Sequence, residues 1–231
     1  MPRYNYVLFD ADNTLFDFDR AERRALQQAL EDRGYPFDTL TEGLYLAINR
    51  VLWRRFDLGT IGREELARSR FHFFSQVMGG QDDPEEFNRC YLDHLARGAD
   101  LLPGALELCQ ALASRCTLAI VTNGIACAQR GRFGRSPLRE LIPWLFISEE
   151  LGSQKPQPQF FQAVFEKMGL TGTEGIVVVG DTLLSDIQGG AGAGLDTVWY
   201  NPKCAPNETE IRPTFEVHDF PSLQALLLND T

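Results

Sequence analysis

Two carboxylates separated by one residue follow directly on a short apolar run, in Phe9-Asp10-Ala11-Asp12-Asn13-Thr14-Leu15. Adjacent acids repel each other unless a cation or a shared proton intervenes, so such a pair suits metal binding or proton transfer. Alone, the same stretch also reads as a solvated, Asp-rich turn ending a strand. The position recurs, however. Val121 is followed by Thr122-Asn123-Gly124, and Val179 by Gly180-Asp181, with Asp186 a few residues on. Lys155 stands in Ser153-Gln154-Lys155-Pro156, ahead of a helical stretch. Singly, Thr122 reads as a helix cap, Lys155 as a surface lysine and Asp186 as a helix-start acid. Jointly they are harder to dismiss, because ligands of open α/β sheets bind outside the carboxyl ends of the strands.

The runs before these residues have the character of buried strands. Tyr6–Phe9, Thr117–Val121, Trp144–Ile147, Ile176–Val179 and Thr197–Tyr200 are nearly continuous in apolar residues. That pattern marks a parallel sheet covered on both faces, where neither face meets water. Helical patterns lie between them. Ala105–Ala113 carries Leu106, Leu108 and Leu112, and Phe160–Met168 carries Phe161, Val164, Phe165 and Met168, with Gly169 as a C-terminal cap. Alternating strands and helices predict a layered α/β, Rossmann-like parallel sheet with right-handed crossovers.

Between the first two strands the pattern changes. Arg20–Arg33, Glu42–Phe56, Arg63–Met78 and Pro84–Ala96 fit helices, and no strand is legible from Asp19 to Gly98. In the fourth segment Asp83 can cap, Pro84 suits the first helical position and Glu86 completes a capping box. The expected division is a core of residues 1–16 and 99–231 interrupted by an all-helical insertion, 17–98.

Composition narrows the classes. The 231 residues carry 22 Lys and Arg against 32 Asp and Glu, a formal net charge of −10. That balance argues against nucleic-acid polymers, whose binding rests on cationic side chains, and against an anionic membrane surface. It leaves a small anionic substrate open. The five cysteines, Cys90, Cys109, Cys116, Cys127 and Cys204, are odd in number and show no C-x-x-C spacing, so reduced thiols in the cytoplasm are expected. No signal peptide and no membrane-length apolar run is apparent.

The set Asp10-Ala11-Asp12-Asn13-Thr14, Thr122-Asn123, Lys155-Pro156 and Gly180-Asp181 with Asp186 resembles the motifs of the haloacid dehalogenase superfamily, in order and across almost the whole chain. Ala11 and Gln157 depart from the usual residues, but no motif is broken. The helical insertion looks like that superfamily's helical cap. Further stretches, among them Asp17-Phe18, Thr122-Asn123-Gly124-Ile125, Ile147–Gly152 and Ser185–Gly190, are similar to bacterial pyrimidine 5′-nucleotidases that act on non-canonical nucleotides.

The resemblance implies a phosphoric monoester hydrolase working through an aspartyl-phosphate. Asp10 would be the nucleophile, and Asp12 the general acid–base that protonates the leaving oxygen and then activates water. Thr122, Asn123 through nearby backbone N–H groups, and Lys155 would bind the phosphoryl oxygens. Mg²⁺ would be held by the Asp10 carboxylate, the Asp12 backbone carbonyl and the Asp181 carboxylate, while Asp186 would hold a metal-bound water or orient Lys155. The expected substrate is a small phosphorylated metabolite, a nucleoside monophosphate first. A sugar-phosphate or phosphoglycolate phosphatase, a phosphomutase, a dehalogenase or a non-catalytic binding protein on the same fold are the alternatives. A dehalogenase would not need Asp12 or Mg²⁺.

Phe16, Asp17 and Phe18 lie on the connection into the insertion and read as a hinge or as substrate neighbours. Trp53, Phe56, Phe71, Phe73 and Phe74 fit apolar helix faces, whereas Arg54, Arg55 and His72 carry no discriminating signal. The run Arg130-Gly131-Arg132-Phe133-Gly134-Arg135 reads as a solvated basic face.

Overall fold

Why the apolar runs become strands is visible in how they divide their side chains. In the computed structural model, which describes residues 3–229, β1 (Tyr6–Phe9), β2 (Thr117–Thr122), β3 (Trp144–Ile147), β4 (Ile176–Gly180), β5 (Asp196–Tyr200) and β6 (Phe215–Val217) form one parallel sheet in the order β3-β2-β1-β4-β5-β6. Successive side chains alternate between faces. Val7, Phe9, Leu118, Ile120, Val177 and Val179 enter one core, and Leu8, Ala119, Val121 and Val178 enter another. Both faces are therefore apolar and both need helices.

The first face receives Leu108, Cys109 and Leu112 of one helix and Leu223 and Leu227 of the last. The second receives Phe160, Phe161 and Val164. In chain order the helices are α1 (Phe18–Asp32), α2 (Thr39–Asp57), α3 (Arg63–Met78), α4 (Pro84–Leu95), α5 (Ala105–Ala113), α6 (Ala126–Arg135), α7 (Ser148–Leu151), α8 (Pro158–Met168), α9 (Gln188–Gly192) and α10 (Phe220–Leu228). The chain divides into two compact units: residues up to Phe18 with those from Ala99 onward, and Asp19–Gly98.

The second unit is all helical. Its α2, not legible at its start from the apolar pattern, begins on a reciprocal cap: Asp38 accepts from the Thr41 amide, and the Thr41 hydroxyl receives the Asp38 amide. Asp83 caps α4 as expected, accepting from the Glu85 and Glu86 amides. The Glu86 carboxylate, however, faces Arg33 and Arg89 at 3.8 and 4.0 Å rather than turning back to the cap. Tyr45, Phe71, Phe74, Phe87 and Tyr91 form an aromatic interior in which Phe71 stacks on Phe87 at 4.2 Å. Phe56 is buried too, but Phe73 is 42% exposed and does not belong to that interior. Asn49 donates to Glu22 at 2.8 Å within the same bundle, beside the buried Arg70. At the surface, His94 and Asp32 pair at 2.7 Å, tying α4 to the end of α1.

Two parts of the first unit differ from the sequence reading. The sheet has a sixth strand, β6, completed by α10; three residues are too few to show a periodicity. The Arg130–Arg135 run belongs to α6, and it is not uniformly solvated: Arg130 and Arg135 are exposed while Arg132 is buried. The glycines at 131 and 134 hide the helical pattern.

Candidate active site

Strand order reverses around β1: the chain builds outward through β2 and β3, then crosses back to β4 on the other side. The crevice at such a switch point is where ligands bind in open α/β sheets. Asp10 and Asp12 follow the end of β1, Asp181 follows β4, and Thr122 closes β2. Asp10 is held there by its amide, which donates to the Val179 carbonyl at 2.8 Å. Asn13 adopts a left-handed φ of 57°, which asparagine tolerates better than most residues.

Lys155 organises the centre. Its ammonium donates to Asp10 Oδ1 at 2.7 Å, to Asp186 Oδ1 at 2.6 Å and to the Val121 carbonyl at 2.7 Å, which uses all three of its N–H groups. Burial alone would lower the lysine's pKa; the Asp10 and Asp186 carboxylates overcome that and push it up, so it stays charged. Asn123 fixes the lysine's backbone from both sides: its amide nitrogen donates to the Lys155 carbonyl at 2.8 Å and its oxygen accepts the Lys155 amide at 2.9 Å. The Asn123 side chain is thus committed to Lys155, which leaves the backbone around it to meet a substrate. The Thr122 hydroxyl accepts the Gly124 amide at 3.0 Å, so its own proton is left to donate.

Asp186 lies in a π-helical turn, Leu183–Ile187, where the chain bends back toward the strand ends. The Thr182 amide donates to its second oxygen at 3.1 Å. Asp181 is steadied by Trp199, whose indole N–H donates to the Asp181 carbonyl at 2.9 Å. Gly180 makes the approach of Asp186 geometrically feasible, since a Cβ at that position would stand 2.3 Å from the Asp186 carboxyl group. Gly180→Ala is therefore expected to displace Asp186, loosen Lys155 and lower kcat by at least about tenfold, as small misplacements at a reacting centre do. Steady-state kinetics with a circular-dichroism control checks this; unchanged kcat would show that Asp186 need not lie where it does.

The charge balance asks for more than the lysine. Carboxylate oxygens of Asp10, Asp181 and Asp186 lie within 4.8 Å of one another. Burial raises the Asp10 pKa well above the usual carboxylate range, with Asp186, Asp181 and Asp12 adding to it against Lys155. Burial and the charges of Asp186 and Asp12 lift Asp181 to about 7. An all-oxygen donor set carrying uncompensated negative charge fits a hard divalent cation such as Mg²⁺.

Asp12 is differently placed from its neighbours. Its carboxylate receives Gln129 Nε2 at 2.6 Å and forms an ion pair with Arg132 Nη1. Neither partner was read as a site residue from the sequence, where Arg132 stood in the run taken for a solvated basic face. The only signal available there was their i, i+3 spacing, which puts both on one face once α6 is known to be a helix.

The chain as a whole is similar to known proteins. A family model described as haloacid dehalogenase-like hydrolase matches residues 4–194. The chain is 37% identical to pyrimidine 5′-nucleotidase PynA of Streptococcus pneumoniae over 95% of this chain and 93% of that one. It is 33% identical to pyrimidine 5′-nucleotidase YjjG of Escherichia coli, over 97% and 98%. Among solved structures, that of the HAD-hydrolase YfnB of Bacillus subtilis, bound to magnesium, superimposes with a TM-score of 0.92 at 37% identity, covering 97% of this chain and 99% of that one.

Proposed function

The chain belongs to the haloacid dehalogenase-like hydrolases, and from that premise we propose that it is a Mg²⁺-dependent phosphatase that removes the 5′-phosphate from pyrimidine nucleoside monophosphates. The observation that carries the catalytic reading is the buried Asp10–Lys155–Asp186 chain, with Asp12 and Asp181 beside it. The nucleotide reading rests on the relatives named for that activity.

Asp10 attacks phosphorus, the ester P–O bond breaks, and the leaving oxygen takes a proton from Asp12. Water then attacks the phosphorus of the aspartyl-phosphate and gives its proton to Asp12. The bond to Asp10 breaks, and inorganic phosphate leaves. Thr122 and the amides around Asn123 bind phosphoryl oxygens. Because all three Lys155 donors are engaged, its part is first to keep Asp10 aligned and charged, and only by sharing a donor to touch phosphate. Asp10, Asp181 and the Asp12 carbonyl would hold Mg²⁺, which would offset the carboxylate charge that otherwise repels the substrate. Asp186 orients Lys155. The helical unit is the part we expect to act as a cap and to select the leaving group.

No helix among the described residues is long and apolar enough to cross a membrane. Among the described residues no cysteine is in a disulfide, which supports a place in the reducing cytoplasm. The acidic surface supports small monophosphates over polymers as partners.

A panel of monoesters with Mg²⁺ tests the substrate: UMP, dUMP and dTMP against sugar phosphates, phosphoglycolate and p-nitrophenyl phosphate. Pyrimidine nucleotides should lead in kcat/KM by about tenfold or more, the discrimination that a modest gain in differential binding supplies. Nucleotides ranking no better than sugar phosphates would remove the nucleotidase reading while leaving the phosphatase.

A further inference from the structure

Asp12 is gripped by a helix that carries none of the motif residues. From α6, Gln129 reaches one carboxylate oxygen of Asp12 at 2.6 Å, and Arg132 pairs with the other. Both residues are buried, with the Arg132 side chain at 1% exposure, whereas the Asp12 side chain keeps 26%. Arg132 is itself held in place: its guanidinium lies 5.0 Å from the Phe16 ring centroid and 5.5 Å from that of Phe18. Gln129 needs room that only glycine leaves, because a Cβ at position 124 would stand 2.1 Å from its Nε2. Taking an arginine out of water is costly unless a specific partner recovers the energy. Packing alone would be served as well by leucine or methionine. The common object of these arrangements is the orientation of one carboxylate.

We propose that Gln129 and Arg132 are positioning residues that fix the rotamer of Asp12 for proton transfer at the leaving oxygen. The inference rests on the phosphatase reading above and adds to it a prediction about leaving groups. A nitrophenolate departs with little help from an acid, whereas the alkoxide of a nucleoside or sugar needs a proton as the P–O bond breaks. A carboxylate free to rotate therefore penalises alkyl esters selectively. A helix that merely loosened the fold would penalise both ester types alike.

The experiment compares wild type, Arg132→Met, Arg132→Lys and Gln129→Leu on p-nitrophenyl phosphate and on the alkyl phosphate that wild type hydrolyses best, at saturating Mg²⁺. Inhibition by inorganic phosphate reports whether the phosphoryl site is intact. Arg132→Met should lose on the order of 10²–10⁴ in kcat on the alkyl ester, the usual contribution of general acid–base catalysis. Its loss on the aryl ester should be much smaller, with inhibition by phosphate unchanged, and Arg132→Lys should recover part of the alkyl activity. Gln129→Leu should show the same selectivity with smaller size, and it carries the test if Arg132→Met does not fold. Equal fractional losses on both esters in an active enzyme would overturn the positioning role alone. A wild type inert toward every ester would instead remove the phosphatase reading, and this inference with it.

Discussion

Purified Asp10→Asn is expected to have no measurable turnover on any phosphate monoester while folding as wild type does. Replacing a nucleophile costs on the order of 10⁶ in kcat in other covalent hydrolases, which is about 8 kcal/mol of transition-state stabilisation. The structure gives the prediction its second half. Asp10 is buried among like charges, and burial is the largest influence raising its pKa. A neutral amide of nearly the same shape removes one of those charges. Lys155 loses a partner but keeps Asp186 and the Val121 carbonyl. In metal-free buffer the melting temperature of Asp10→Asn should therefore not fall below that of wild type. Kinetics and thermal unfolding on one preparation separate the outcomes. Full phosphatase activity would exclude Asp10 as the nucleophile, and loss of activity with loss of fold would make the residue structural.

What could be read from the sequence was what repeats or stands at a boundary. The strands β1 and β3 appear with their observed ends because four consecutive apolar residues, followed at once by a polar one, leave little choice. Asp10, Thr122 and Asp181 were legible because each follows such a run. The helices α3 and α5 matched their patterns residue for residue. The hidden parts have physical reasons too. The short β6 owes its place to pairing with β5, a tertiary contact that leaves no local periodicity. The start of α2 rests on a hydrogen-bonded cap between Asp38 and Thr41 rather than on an apolar stripe. Arg132 was read as solvated because arginine usually is; only the fold brings Asp12, Phe16 and Phe18 around it. Lys155 was legible as a candidate member of the site, but its saturation by three acceptors, Asp10, Asp186 and the Val121 carbonyl, was not.

That saturation makes Lys155→Met the most damaging change for stability. Methionine matches the apolar length of the lysine stem but brings no charge, so Asp10 and Asp186 lose their shared ammonium and the Val121 carbonyl loses its donor. Removing one partner of a buried ion pair typically costs about 3–5 kcal/mol, because the remaining charge has no compensation. For a chain of this size each kcal/mol lowers the melting temperature by roughly 2–4 °C, so a fall of roughly 6–20 °C is expected in metal-free buffer. Turnover should drop as well, by at least about 10²-fold, since an electrostatic stabiliser is lost from the reacting centre. The same argument predicts how the damage is repaired. The substitution leaves the three clustered carboxylates of Asp10, Asp181 and Asp186 in the chain without the ammonium, and a divalent cation would take over their neutralisation. Addition of Mg²⁺ should therefore raise the melting temperature of Lys155→Met by more than it raises that of wild type, without restoring turnover. Differential scanning calorimetry with and without Mg²⁺ measures both shifts. A variant as stable as wild type in EDTA would show that the carboxylates do not depend on Lys155 for their burial, and equal Mg²⁺ shifts would show that lysine and metal do not share the task of neutralising them.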